Sequence, residues 1–121
     1  MSAKRILIVD DEAELLELVK MRLEAHQYEV LTAASGTSGL ECALKERPDL
    51  ILLDVMMPGM DGNEVLRRLR HDERTRSIPV IMLTAKGDTR SILNAQSLWA
   101  TDYFIKPFEA SELLACIRKY L

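Results

Sequence analysis

The sequence has little cysteine, no excess of basic charge, no long apolar run and no glycine-rich nucleotide loop. Each shortage excludes something. Two cysteines occur, Cys42 and Cys116, far apart in the chain. They form neither a disulfide framework nor a metal-type pair, and such usage suits a reducing cytoplasm. Both read as small apolar residues on helices. The net charge is −3, so nothing invites nucleic acid or an anionic membrane surface. No apolar stretch approaches the ~20 residues of a membrane span. The apolar run over 6–9 is too short, and too closely flanked by charge, for a signal peptide. Neither G-x-x-x-x-G-K nor G-x-G-x-x-G is present, which argues against a bound nucleotide.

What remains is a 121-residue chain, long enough for one domain with a real core. Short apolar runs alternate with helical spacings along it. Strands are expected over 5–9, 28–34, 49–54, 78–84 and 102–105, each rich in aliphatic or β-branched residues. Between them, apolar residues recur at three- and four-residue intervals. Leu15, Leu18, Val19 and Leu23 mark the first helix, and Leu40, Ala43 and Leu44 the second, closed by Pro48. Val65, Leu66 and Leu69 mark the third, after the turn "PGMDG". A poorer fourth is expected over 88–99, and Leu113, Leu114, Ile117 and Leu121 mark the last. Five strands alternating with five helices imply a parallel sheet covered on both faces. No linker or repeat interrupts the pattern, so 1–121 reads as a single domain.

In such a sheet, sites form beyond the carboxyl ends of the strands. The first strand ends in Asp10 and Asp11, the third in Asp54, the fourth in Thr84, and the fifth in "IKP" with Lys106. Adjacent acids after a strand can simply favour a helix start through its dipole. Here, however, three other strand ends supply polar partners. Two carboxylates about 4 Å apart repel by ~4 kcal/mol at an effective dielectric of 20. Three must either raise one another's pKa values or recruit a cation. An oxygen-rich site open to water suits Mg²⁺, and the absence of His and Cys from these loops argues against zinc. Lys106 offers a point charge for phosphate, and Thr84 a donor. An acid cluster, a cation, a lysine and a threonine form a phosphoryl-transfer site. Without a nucleotide cradle, the phosphoryl group must reach a protein nucleophile, and a carboxylate can serve.

The stretches "ILIVDDE", "PDLILLDVMMPGMDG", "IPVIMLTA" and "DYFIKPF" resemble, in order and spacing, the receiver domain of two-component response regulators. The likeness covers essentially the whole chain. It implies a doubly wound α/β fold with five parallel strands in the order 2-1-3-4-5 and five flanking helices, as in flavodoxin-like proteins. It implies that Asp54 accepts a phosphoryl group from a phosphohistidine on a sensor histidine kinase or phosphotransfer protein. Asp10, Asp11, Asp54 and the main-chain carbonyl of Met56 would hold Mg²⁺. Thr84, Lys106 and the backbone N–H groups of Met56 and Ala85 would contact the phosphoryl oxygens. Tyr103 matches the switch aromatic, which turns inward when the threonine moves. A downstream effector, or a homodimer formed on phosphorylation, would read the change around the fourth helix, fifth strand and fifth helix. The Lys106–Pro107 bond is implied to be cis.

Other residues have plainer readings. Met56, Met57 and Met60 suit gap-filling packing. His26 and His71 sit near expected helix ends, where a cation is favoured. Arg67, Arg68 and Arg70 read as a solvated helix face. One departure stands out. Where the family usually has glycine before "A-D-D-Y", this chain has Trp99, and Thr101 replaces an acid. A left-handed tryptophan would be strained by roughly 1–2 kcal/mol. The fourth helix is therefore expected to end differently, with Trp99 partly exposed beside a dimer or effector surface.

Three function classes remain: a phosphorylation-controlled switch, an aspartate-nucleophile phosphohydrolase, and a degenerate receiver that binds partners without phosphorylation. Phosphohydrolases of that type commonly carry a second acid two residues after the nucleophile, where this chain has Met56. Retention of Asp10, Asp11, Asp54, Thr84 and Lys106 counts against a degenerate receiver. The 121 residues contain no expected output domain, so the chain reads either as a free-standing regulator or as part of a larger one.

Overall fold

The computed structural model describes residues 3–85, 93 and 96–121. Five strands form one parallel sheet: β1 (Arg5–Val9), β2 (Glu29–Ala33), β3 (Leu50–Asp54), β4 (Val80–Ala85) and β5 (Asp102–Lys106). Their spatial order is β2-β1-β3-β4-β5, as the resemblance implies. Among the described residues there are four helices: α1 (Ala13–Glu24), α2 (Gly36–Glu46), α3 (Gly62–Arg70) and α4 (Ala110–Tyr120). Of the helix expected over 88–99, Leu93, Gln96 and Ser97 are helical, and the rest up to residue 95 lies outside the described residues.

The continuous apolar strands follow from burial on both faces. Successive side chains alternate, so each strand feeds two cores. Leu7, Val9, Ile51, Leu53, Val80 and Met82 face α2 and α3, meeting Ala43, Val65, Leu66 and Leu69. Ile6, Ile8, Leu50, Leu52, Ile81 and Leu83 face α1 and α4, meeting Leu16, Val19, Leu23, Leu113, Leu114 and Ile117. A one-residue slip of any central strand would exchange the two sets, which pins the register.

Local chemistry sets the helix ends. Ser35 Oγ accepts from Ser38 N at 3.2 Å at the start of α2, and Asp61 Oδ1 accepts from Glu64 N at 2.9 Å at the start of α3. After α2, Arg47 adopts φ +46 and its N–H donates to the Ala43 carbonyl, so the helix stops before Pro48.

Two expectations fail here. Trp99 does adopt the left-handed conformation, with φ +63, so the turn ends as a glycine would end it. Its N–H donates to the Gln96 carbonyl at 3.1 Å. The three arginines of α3 are also not alike. Arg67 and Arg68 pair with Glu64 on the helix surface. Arg70 instead turns inward and donates to the carbonyls of Trp99, Arg76 and Ile78 and to Thr101 Oγ1. Thr101 in turn accepts from Val80 N at 2.9 Å through its hydroxyl, while its own N–H donates to the Val80 carbonyl. Cys42 lies on α2 and Cys116 on α4, both half-buried against the cores.

Candidate functional site

The register of the sheet assembles the site. Val9 pairs with Leu53, so the next residues, Asp10 and Asp54, emerge side by side from the two central strands. Both continue the row that faces α1 and α4. Asp54 pairs with Leu83, and Ala85 pairs with Lys106, which brings the β4 and β5 ends to the same edge. Thr84 continues the opposite row, after Val80 and Met82.

Asp10 is fully buried, Asp54 is 4% exposed, and Asp11 points to solvent. One carboxylate oxygen from each lies within 4.8 Å of the other two. Lys106 closes the cluster. Its Nζ is 2.8 Å from Asp10 Oδ2 and 3.3 Å from Asp54 Oδ1. It also lies 3.4 Å from Glu12 Oε1, a contact that sequence reasoning missed, because nothing in the local pattern turns Glu12 toward a residue 94 positions away.

Backbone groups fix the acids. Asp10 Oδ1 accepts from Glu12 N at 2.9 Å, which holds the turn into α1. Asp54 Oδ1 accepts from Met56 N at 3.4 Å. Gly62, the first residue of α3, donates its N–H to the Val55 carbonyl, and a Cβ there would overlap the Asp54 carbonyl. Glycine is thus required for the close approach of α3 to the loop that carries Asp54.

The electrostatics follow from burial. Desolvation, and then the Asp10 charge, push the Asp54 carboxyl up to about 6, against the opposing pull of Lys106 and the Met56 N–H. For Lys106, burial pulls downward, but the hydrogen bond to Asp10 and the charges of Asp54, Asp10 and Glu12 outweigh it, and the amine is raised.

The remaining sequence-predicted residues fall as follows. The Thr84 hydroxyl is buried, with no partner among the described residues. A buried unpaired hydroxyl costs about 1–3 kcal/mol. Ala85 ends β4 and is exposed. Tyr103 is half-buried against the α2–α3 core. Met56 is 66% exposed beside the acids, so it does not fill a core gap as expected, whereas Met57 does. The Lys106–Pro107 bond is cis. A mostly apolar groove of about 550 Å³ runs from Lys106 and Pro107 along Leu15, Leu18 and Phe108. Among the described residues, no helix is long and apolar enough to cross a membrane.

Known proteins are similar to this chain in sequence and in fold. The chain is 45% identical over 117 residues to the dual master transcriptional regulator RpaA of Synechocystis, covering 97% of this chain and 48% of that one. It is 45% identical over 121 residues to the phosphate regulon regulator PhoB of Pseudomonas aeruginosa, covering 100% and 53%. The chain thus spans about half the length of these relatives. The structure is similar to chemotaxis protein CheY4 of Vibrio cholerae, with a TM-score of 0.93 at 32% identity, covering 99% and 100% of the two chains. It is also similar to the receiver domain of sensor kinase PA1611 from P. aeruginosa, with a TM-score of 0.90 at 29% identity over 98% of each chain; that structure holds a magnesium ion in its active-site cleft. The profile of the response regulator receiver domain matches residues 6–118, and the chain belongs to that family.

Proposed function

We propose that this chain is a phosphorylation-controlled switch whose phosphoacceptor is Asp54. One observation carries the reading: Lys106 Nζ bridges Asp10 and Asp54 at the strand ends, where three carboxylates converge within 4.8 Å. An Asp54 carboxylate oxygen attacks the phosphorus of a phosphohistidine on a sensor kinase or phosphotransfer protein. The new O–P bond forms as the P–N bond breaks, and the electron pair returns to the imidazole nitrogen. Lys106 leaves part of its carboxylate contact to meet a phosphoryl oxygen, and the Thr84 hydroxyl donates to another. The N–H groups of Met56 and Ala85 supply further donors.

The donor set fits Mg²⁺. It is all oxygen, with one acid open to water and no histidine or thiol in the cluster. Asp10, Asp11, Asp54 and the Met56 carbonyl would hold the ion, which when bound offsets charge on the phosphoryl oxygens. On this reading 1–121 is one receiver domain. It works in the cytoplasm, does not itself bind nucleic acid, and reports to an effector or to a second copy through the surface around the fourth expected helix, β5 and the last helix. It assists its own phosphorylation and dephosphorylation but turns over no separate substrate.

The test is incubation with acetyl phosphate and Mg²⁺, followed by detection of an acid-stable, base-labile acyl phosphate. Asp54→Ala should abolish labelling while leaving the circular dichroism spectrum intact. Asp11→Ala should weaken Mg²⁺ binding and slow labelling. Wild-type labelling by Asp54→Ala would sink the assignment. Steady turnover of donor would indicate a phosphohydrolase, and no labelling of the wild type a degenerate receiver.

A further inference from the structure

A second cluster of titratable side chains lies away from the acids, between the start of β5 and the last turns of α4. Asp102 stands beside Tyr103. Its Oδ1 accepts from the Tyr103 N–H at 2.9 Å. Its Oδ2 accepts from the Tyr120 hydroxyl at 2.9 Å and from the Cys116 thiol at 3.6 Å. One carboxylate therefore holds the backbone of the residue that matches the switch aromatic and, with its other oxygen, two side chains one turn apart on the terminal helix. The three side chains are half-buried, and Cys116 and Tyr120 pack on the α1–α4 core.

We infer that Asp102 is a latch that couples movement of the Tyr103 strand to the carboxyl end of α4, with the Cys116 thiol released when the latch opens; this rests on the switch reading above. Hydrogen bonds to an ionised carboxylate are the strong kind, and they are directional. The backbone of Tyr103 and the carboxylate of Asp102 are neighbours in sequence and bonded to each other, so a rearrangement of Tyr103 re-aims the carboxylate. Tyr120 and Cys116 then lose alignment together, since both donate to the same oxygen. Cys116 records the state of the latch. Burial, the Asp102 charge and the Asp102 hydrogen bond together push the thiol up to about 11. Tyr120's own hydrogen bond to Asp102 raises its hydroxyl as well.

The experiment uses Cys42→Ala, which leaves Cys116 as the single thiol, and reads its alkylation by iodoacetamide at pH 8. With the latch closed, alkylation should run roughly a hundredfold slower than for free cysteine, because the thiolate is the nucleophile. Mg²⁺ with beryllium fluoride should accelerate it by at least about tenfold, the gain in thiolate when the proton affinity of the sulfur falls by the same factor. Asp102→Asn should be faster than the parent without activator, though still slower than free cysteine because burial of the sulfur remains, and insensitive to activator; Tyr120→Phe should narrow the difference. Phosphoryl labelling of Asp54 is measured in the same protein. Labelling with unchanged Cys116 reactivity overturns the coupling alone. No labelling overturns the switch reading and the coupling with it. Alkylation of Asp102→Asn at the parent's slow rate overturns the latch itself.

Discussion

Arg70 Nε donates to the carbonyl of Trp99 at 2.9 Å, across 29 residues of chain. The guanidinium also takes the Arg76 and Ile78 carbonyls and the Thr101 hydroxyl. Burial lowers its pKa from the usual arginine range, but the charge is retained and its donors are used. A fixed carbonyl at position 99 holds the left-handed turn whatever the side chain. That is how a tryptophan occupies a conformation suited to glycine.

Replacing that tryptophan should stabilise the fold. Trp99 is 76% exposed, so little buried area is lost on its removal. Its positive φ is strained by roughly 1–2 kcal/mol, partly offset by the ~0.5–1 kcal/mol entropic cost of glycine. Trp99→Gly should therefore gain about 0.5–1 kcal/mol in urea denaturation. A loss of that size would show that the indole packs in solution.

The same residue should report the switch. Trp99 is the single tryptophan and follows Gln96 and Ser97 on the way to Tyr103. Adding Mg²⁺ and beryllium fluoride should shift its emission, through rearrangement of Tyr103 or through association of the chains. An emission spectrum unchanged by an activator that binds would remove Trp99 from the responsive surface.

Asp54 should cost stability in the metal-free protein. Its folded pKa, about 6, stands above the ordinary 3.8, so the folded state resists ionisation. Stability is full below the lower value and falls as pH rises through the higher one. Every tenfold difference in proton affinity between the folded and unfolded states corresponds to about 1.4 kcal/mol. In EDTA, Asp54→Asn should exceed the wild type by on the order of 2 kcal/mol at pH 7.5, and the two should converge near pH 4. A difference that is the same at both pH values would assign it to packing instead of charge.

Met56 should control the lifetime of the acyl phosphate. Its side chain is exposed beside Asp54 and offers no amide or acid to orient an attacking water. Met56→Asn should shorten the half-life of the phosphorylated protein several-fold. An unaltered half-life would show that Met56 is not the gate.

Much of the fold is legible in one dimension. Strands buried on both faces must be apolar throughout, and the carboxyl edge of a parallel sheet must carry its polar residues at strand ends. Asp10, Asp11, Asp54, Thr84 and Lys106 could therefore be gathered by counting alone. Strand order was not legible in this way and came from the family resemblance. The tertiary structure decided the remainder. Arg67, Arg68 and Arg70 look equivalent in sequence, yet only Arg70 meets the carbonyls that precede β4 and β5. The left-handed Trp99 is held by that distant arginine, Glu12 is drawn to Lys106, and Asp102 joins Tyr120 and Cys116. In each case the partner is chosen by packing between elements far apart in the chain. Local periodicity reports which face a residue occupies; it carries no information about which polar group waits on the other side.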